Sequence, residues 1–170
     1  SNAERENALM VIRERAQARG ISKGWLIAGI AQQETGLTHC WRDRTSFCKG
    51  IASPDCNGPV VAGTFDGPCS KGGLGMFQLD DGTQQQTLKR WGKDVLTLKG
   101  NVDAGIDALI FKLRICVPGP RSKTDADAVE WLNGVEHGSS DYTTYLGVLS
   151  ACYNGWDPRT KDFVKQRAAY

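Results

Sequence analysis

The stretch "NVDAGIDALIFKLRICV", residues 101–117, decides the fold class. Val102, Ile106, Leu109, Leu113 and Cys116 recur at three- and four-residue spacing, the period of a helix with one buried stripe. Asn101 stands where an N-cap belongs, and Asp103 and Asp107 follow it, where negative charge offsets the helix dipole. Pro118 and Pro120 stop the run. A helix with an apolar stripe of this length needs other helices to cover it.

Those helices are legible on both sides. Upstream, "RENALMVIRERAQAR" (5–19) puts Leu9, Ile12 and Ala16 on one face and ends at Gly20. Ser22 suits the cap of a second helix over 23–35, which ends at Thr35-Gly36. Thr83 suits the start of "QQQTLKRWG". Downstream, "DADAVEWLNG" (125–134), "DYTTYLGVLSACYNG" (141–155) and "RTKDFVKQ" all read as helical, the second with Tyr142, Tyr145, Leu149 and Cys152 at helical spacing. No segment argues strongly for a strand. The expectation is a mainly α protein with little β structure, forming one domain over residues 4–170. Ser1-Asn2-Ala3 reads as the remnant of a cleaved tag.

Composition narrows the function. The chain has 170 residues, 21 basic and 19 acidic, for a net charge of +2. That balance carries no strong footprint for nucleic acid. It suits an anionic polymer only weakly. No uninterrupted apolar run approaches the length of a membrane span. No signal peptide is legible, which says nothing about export.

The six cysteines are Cys40, Cys48, Cys56, Cys69, Cys116 and Cys152. Four fall in the Gly-, Pro- and Asp-rich segment 38–72, which reads as a long stapled loop region with room for a short hairpin. An even count in such a setting points to disulfides and an oxidising compartment. The expected pairing keeps the four loop cysteines among themselves and joins Cys116 to Cys152. A zinc site on the four is the alternative, disfavoured because their separations of eight, eight and thirteen lack close CxxC pairs.

Three stretches carry residues with chemical potential. In "LIAGIAQQETGL" (26–37), Glu34 follows Ile27, Ile30 and Ala31 by seven, four and three residues, on the apolar side of the helix. Apolar surroundings raise a carboxyl pKa, and a Glu near about 6 can donate a proton to a glycosidic oxygen. The bland reading is a Glu in the last turn that faces water beside Gln32 and Gln33. In "GGLGMFQLDDGT" (72–83), Gly72, Gly73 and Gly75 permit a close backbone approach. Gln78, beside Met76 and Phe77, offers a donor and an acceptor to a polyhydroxylated ligand. A plain turn before a helix explains the same residues. No GK[ST] follows, so it is no phosphate loop. In "SACYNGW" (150–156), Tyr153 can stand over a groove while Asn154 and Gly155 end the helix; a buried tyrosine with an ordinary cap reads equally well.

Together these pieces resemble the lysozyme-like superfamily of lytic transglycosylases and goose-type lysozymes, over about residues 23–156. "AQQETGL" is similar to that family's catalytic "ES" segment, with Glu34 at the general acid and Thr35 where Ser is usual. "GLGMFQLD" is similar to its "G-[LF]-G-L-M-Q-[IV]" element, with Met76-Phe77 for Leu-Met. "NVDAGIDAL" (101–109) resembles its "NI..G..YL" helix, and "ACYNG" its "AYN.G", with Cys152 inserted. The cysteine-rich segment before Gly75 departs from the common pattern.

The resemblance implies a lysozyme-like helical domain; with the cysteines, the expectation is a secreted or periplasmic monomer. It would cleave the β-1,4 glycan strands of peptidoglycan without a cofactor. Glu34 would be the acid, and Gly75, Met76, Gln78, Tyr153 and Asn154 would bind substrate. Hydrolysis can use a second carboxylate. Asp66 in "TFDGPC" is the first candidate and Asp80 the next; Asp81 is read as a cap of the helix near Thr83, and Asp43 has no distinguishing signal. "QLDD" leans toward the goose type and hydrolysis. A lytic transglycosylase, finishing with the muramyl C6 hydroxyl and Glu34 as both acid and base, is the alternative. A non-catalytic glycan-binding or inhibitory module is a third reading. A cysteine hydrolase would need a free thiol. His39 and His137 lie far apart, without an H-E-x-x-H motif, so no metal enzyme is indicated.

Overall fold

The computed structural model describes residues 1–43, 46–64, 69, 72–117 and 124–153. Its elements are α1 (Asn2–Ala18), α2 (Gly24–Thr35), β1 (Phe47–Ser53), β2 (Gly58–Thr64) and α3 (Gln84–Trp91). A 3-10 turn (Lys93–Leu96) then leads into α4 (Leu98–Cys116), α5 (Asp125–Asn133) and α6 (Ser140–Val148), which runs into a π turn at Leu149–Tyr153. The protein is mainly helical, as its periodicities predict. It forms two compact units, residues 1–15 with 27–105 and residues 16–26 with 106–170.

In the first unit, Ala8 and Ile12 of α1 are buried, whereas Leu9 is 41% exposed. Ala8, not Leu9, therefore keeps step with Ile12; one residue of offset turns a side chain about 100° around a helix. Ile27, Ile30 and Ala31 of α2 have no exposed surface. The helix ends in two successive left-handed residues, Gly36 (φ 61°) and Leu37 (φ 64°). Gly36 N–H donates to Gln32 O at 2.9 Å and Leu37 N–H to Ala31 O at 3.2 Å, so the chain reverses without stranding the last carbonyls.

The long loop region contains a true hairpin. β1 and β2 pair antiparallel, with Cys48 opposite Ala62 and Lys49 opposite Val61. The strands were hard to read in the sequence for two reasons. Irregularities between Phe47 and Cys48, and between Lys49 and Ala52, break the two-residue alternation of β1. In β2, Val60, Val61 and Ala62 are all buried in succession. Gly50 sits in the second irregularity, where a Cβ would lie 2.7 Å from Val60 O. Disulfides Cys40–Cys56 and Cys48–Cys69 staple this region, and Cys116–Cys152 closes the second unit. The loop cysteines pair among themselves and Cys116 joins Cys152, as expected, and the structure decides which loop cysteines join. This pairing leaves no loop thiolate for zinc and no free cysteine for a cysteine hydrolase.

Thr83 starts α3 as expected, in a reciprocal capping box with Gln86. Asp81 takes no part in that cap; its carboxylate accepts from Trp91 Nε1 at 2.8 Å and faces Arg90 at 3.4 Å. The start of α4 also corrects the sequence reading. Thr97 is the cap, its hydroxyl accepting from Gly100 N–H at 2.9 Å, and Asp55 Oδ2 accepts from Leu98 N–H at 2.7 Å. Asn101 lies inside the helix with no exposed surface. Asp103, in consequence, is beyond the first turn and pairs with Arg15 at 2.7 Å.

In the second unit, Ile106, Leu109 and Leu113 are wholly buried, while Cys116 is half-buried in its disulfide. Asp107 pairs with Arg19 and does not serve the helix start. Ser22, read as the cap of α2, instead donates its hydroxyl to Asn133 Oδ1 at 3.2 Å, and Asn133 Nδ2 donates to Gly20 O at 2.8 Å. Thr124 and Asp127 form the capping box of α5, and Ser139 caps α6. Glu130 and Glu136 face solvent, Glu136 with Lys23 at 2.8 Å. The helix expected in "RTKDFVKQ" lies outside the described residues. Among the described residues, no helix is long and apolar enough to cross a membrane.

Candidate active site

Glu34 occupies the penultimate position of α2 and is half-buried. Its neighbour Thr35 is 5% exposed, and the Thr35 hydroxyl contacts Ala31 O at 3.2 Å and Met76 O at 2.9 Å. Thr38 N–H donates to Thr35 Oγ1 at 3.2 Å. The end of the Glu34 helix is thereby tied to the "GLGMFQLD" segment.

That segment is a tight reversal hung on β2. Leu74 N–H donates to Leu79 O at 2.9 Å and Leu79 N–H to Leu74 O at 3.3 Å, closing a turn over Gly75–Gln78. Gly75 N–H donates to Val61 O at 2.8 Å. Gln78 takes a left-handed φ of 51°, and its Nε2 donates to Gly75 O at 2.9 Å. A non-glycine residue holding this conformation needs strong surroundings.

The surroundings are three buried side chains. Asn101 Oδ1 accepts from Phe77 N–H at 2.9 Å, and its Nδ2 donates to Leu74 O at 3.0 Å and Val95 O at 2.9 Å. His39 Nδ1 accepts from Met76 N–H at 3.3 Å while Nε2 faces Leu96 O at 3.0 Å. Those partners assign the proton to Nε2 of a neutral imidazole. Burial lowers the His39 pKa, outweighing the Leu96 carbonyl and the Asp55 charge, which raise it. Thr87, also wholly buried, accepts from Asp81 N–H at 2.9 Å.

The glycines serve this bracing. Gly75 has φ 72°, and a Cβ there would overlap Asn101 Nδ2. Its close approach is to Asn101. A Cβ on Gly105 would lie 2.5 Å from the Phe77 ring. Met76, expected to touch substrate, has no exposed surface, so its side chain belongs to the core. Gln78 is half-exposed.

The remaining candidates fall as follows. Asp80 is exposed, and its Oδ1 accepts from Gly82 N–H at 2.9 Å, the geometry of a local Asx turn. Asp66 and Asn154 lie outside the described residues. Tyr153 ends the π turn of the second unit and is half-buried. A cavity of about 450 Å³ in that unit, lined by Arg19, Asp125, Ala126, Val129, Glu130 and Asn133, contains none of the predicted site residues. Sequence reading missed the bracing roles of Thr35, His39 and Asn101. The available signal was Asn101 itself, a polar residue in phase with the apolar stripe at Gly105 and Leu109.

No protein-family model matches the chain, and no curated protein or solved structure matches it.

Proposed function

We propose that this protein cleaves the β-1,4 glycan strands of peptidoglycan, with Glu34 as the general acid. One observation carries the reading. Three of the four segments that resemble the lysozyme-like superfamily are joined by hydrogen bonds through buried side chains: Thr35 to Met76, and Asn101 to Leu74 and Phe77. The segments are far apart in the chain, and the carboxyl they share an environment with is half-buried at a helix end. The family reading, an exported monomer with a lysozyme-like fold, belongs to this same proposal. The three disulfides favour an oxidising, secreted or periplasmic setting.

In the proposed step Glu34 gives its proton to the bridging oxygen as the C1–O bond breaks. The departing sugar leaves as a neutral alcohol. Hydrolysis then places water on C1. An inverting hydrolase needs a base carboxylate about 6.5–9.5 Å from the acid. Asp66 remains the first candidate for that base.

A specific observation favours the transglycosylase finish as the second reading. Asp80 is engaged by Gly82 N–H, and Asp81 by Trp91 and Arg90. Attack by the muramyl C6 hydroxyl requires neither, because the Glu34 carboxylate left by the first transfer can accept the hydroxyl proton.

Digestion of purified peptidoglycan with mass analysis of the products separates the readings. Reducing ends mean hydrolysis and 1,6-anhydromuramyl ends mean transglycosylation. Glu34→Gln should lower turnover at least about a hundredfold, the ordinary contribution of a general acid. Unchanged turnover in a folded Glu34→Gln protein sinks the proposal. Glycan binding without any cleavage by the parent protein would leave the non-catalytic module.

A further inference from the structure

The second unit carries an aromatic cluster that the proposed catalysis does not use. Trp25, in the first turn of α2, is 45% exposed. Its ring centroid lies 6.0 Å from that of Tyr142 and 6.3 Å from that of His137, and the His137 and Tyr142 rings are 4.9 Å apart. All three pairs are tilted, by 38° to 52°.

The cluster is built on fixed supports. Tyr145, one turn along α6 from Tyr142, is 1% exposed and donates its hydroxyl to Leu26 O at 3.0 Å. That bond sets the residue next to Trp25 against α6. His137 sits in a turn closed by Ser139, whose N–H and hydroxyl both donate to Glu136 O, at 3.1 and 2.6 Å. Gly138 supplies the positive φ of 78° that this turn requires. Little ordering therefore remains for a ligand to impose.

We infer that Trp25, His137 and Tyr142 form a glycan subsite that stacks one pyranose ring of the strand. The inference rests on the proposed glycan reading and extends it to a second place on the chain. The physical case is the match of surfaces. A β-linked pyranose has a face of axial C–H bonds, which the negative face of an indole attracts. Its rim is hydroxyl groups, and here the imidazole, the phenol and the Lys23–Glu136 pair supply donors and acceptors. Size argues against a protein partner. Among the described residues, Trp25 is the only exposed large hydrophobic in this cluster, and Ser22, Glu136, Gly138 and Ser140 around it are exposed and polar or small. Stable protein interfaces bury on the order of 800 Å² per partner. A single indole in a polar rim fits a sugar ring.

The test uses the full chain carrying Glu34→Gln, so that ligand is not cut, and a β-1,4-linked N-acetylglucosamine hexamer as probe. Nitrogen–proton spectra follow the Trp25 indole N–H, assigned with Trp25→Phe. The expected result is a saturable shift of that resonance. Adding Trp25→Ala should raise the Kd about five- to tenfold while Trp25→Phe, which keeps a stacking ring, stays near the parent. An unmoved Trp25 resonance overturns the subsite, as does equal affinity in Trp25→Ala or no binding at all. The two readings fail separately. If Glu34→Gln keeps full turnover while the Trp25 shift persists, the subsite stands and the catalytic assignment falls. If turnover is lost without a Trp25 shift, the reverse holds.

Discussion

The Thr35 hydroxyl reaches the Met76 carbonyl at 2.9 Å, tying the residue after Glu34 to a turn forty-one positions away in the chain. Thr35→Val keeps the shape and removes the donor, leaving a buried carbonyl short of a partner. That defect costs about 1–3 kcal/mol. Urea denaturation should show the loss in Thr35→Val and near-parent stability in Thr35→Ser. Glycan turnover should follow the same order, because the tie positions the Glu34 end of α2.

Asn101 and Gly75 form one fitted contact. Asn101→Ala leaves Phe77 N–H, Leu74 O and Val95 O without their side-chain partner. Gly75→Ala forces a Cβ into Asn101 at a left-handed φ of 72°. Each variant should lose more than about 2 kcal/mol by denaturant unfolding. The double variant should lose less than the sum, because the alanine at 75 then meets no amide. Additive losses would mean that the two residues act independently.

His39 predicts a pH dependence of defined sign. Its folded pKa lies below the ordinary 6.5, because burial disfavours the cation. The unfolded chain therefore binds the proton more readily. The stability this group supports is fully present above about pH 6.5 and is lost as pH falls from there toward the folded pKa. Protonation would also set an Nδ1–H against Met76 N–H. Unfolding free energy measured from pH 5 to 8 should rise and then level, and His39→Gln should flatten that rise.

Cys40–Cys56 joins the segment before β1 to the turn after it, closing a loop with a sequence separation of 16. Replacing both cysteines by alanine should cost about 3 kcal/mol, the entropy that such a loop regains in the unfolded chain. Thermal unfolding with and without reductant checks this.

The sequence by itself determined the helices and part of their punctuation. Apolar residues at helical spacing, the Thr83 cap with Gln86, Gly20, Gly36 and Gly134 at helix ends, and the separation of the four loop cysteines from Cys116 and Cys152 were readable from near neighbours and local composition, whereas which loop cysteines join was decided by the fold. The helical spacing of Glu34 from Ile27, Ile30 and Ala31 was readable for the same reason, and the fold leaves Glu34 half-buried. Only the tertiary structure decided what Asn101 does. A polar residue before an apolar stripe looks like a cap when the start of the helix is unknown, and Thr97 with Asp55 had already supplied that start. The loop region had room for a short hairpin, but its strand bounds and register were illegible because irregularities and three successive buried residues erase the two-residue period. Gly75 read as a place of close backbone approach, and the fold puts Asn101 there, because the chain records that a Cβ is missing and only the fold shows what lies beside it.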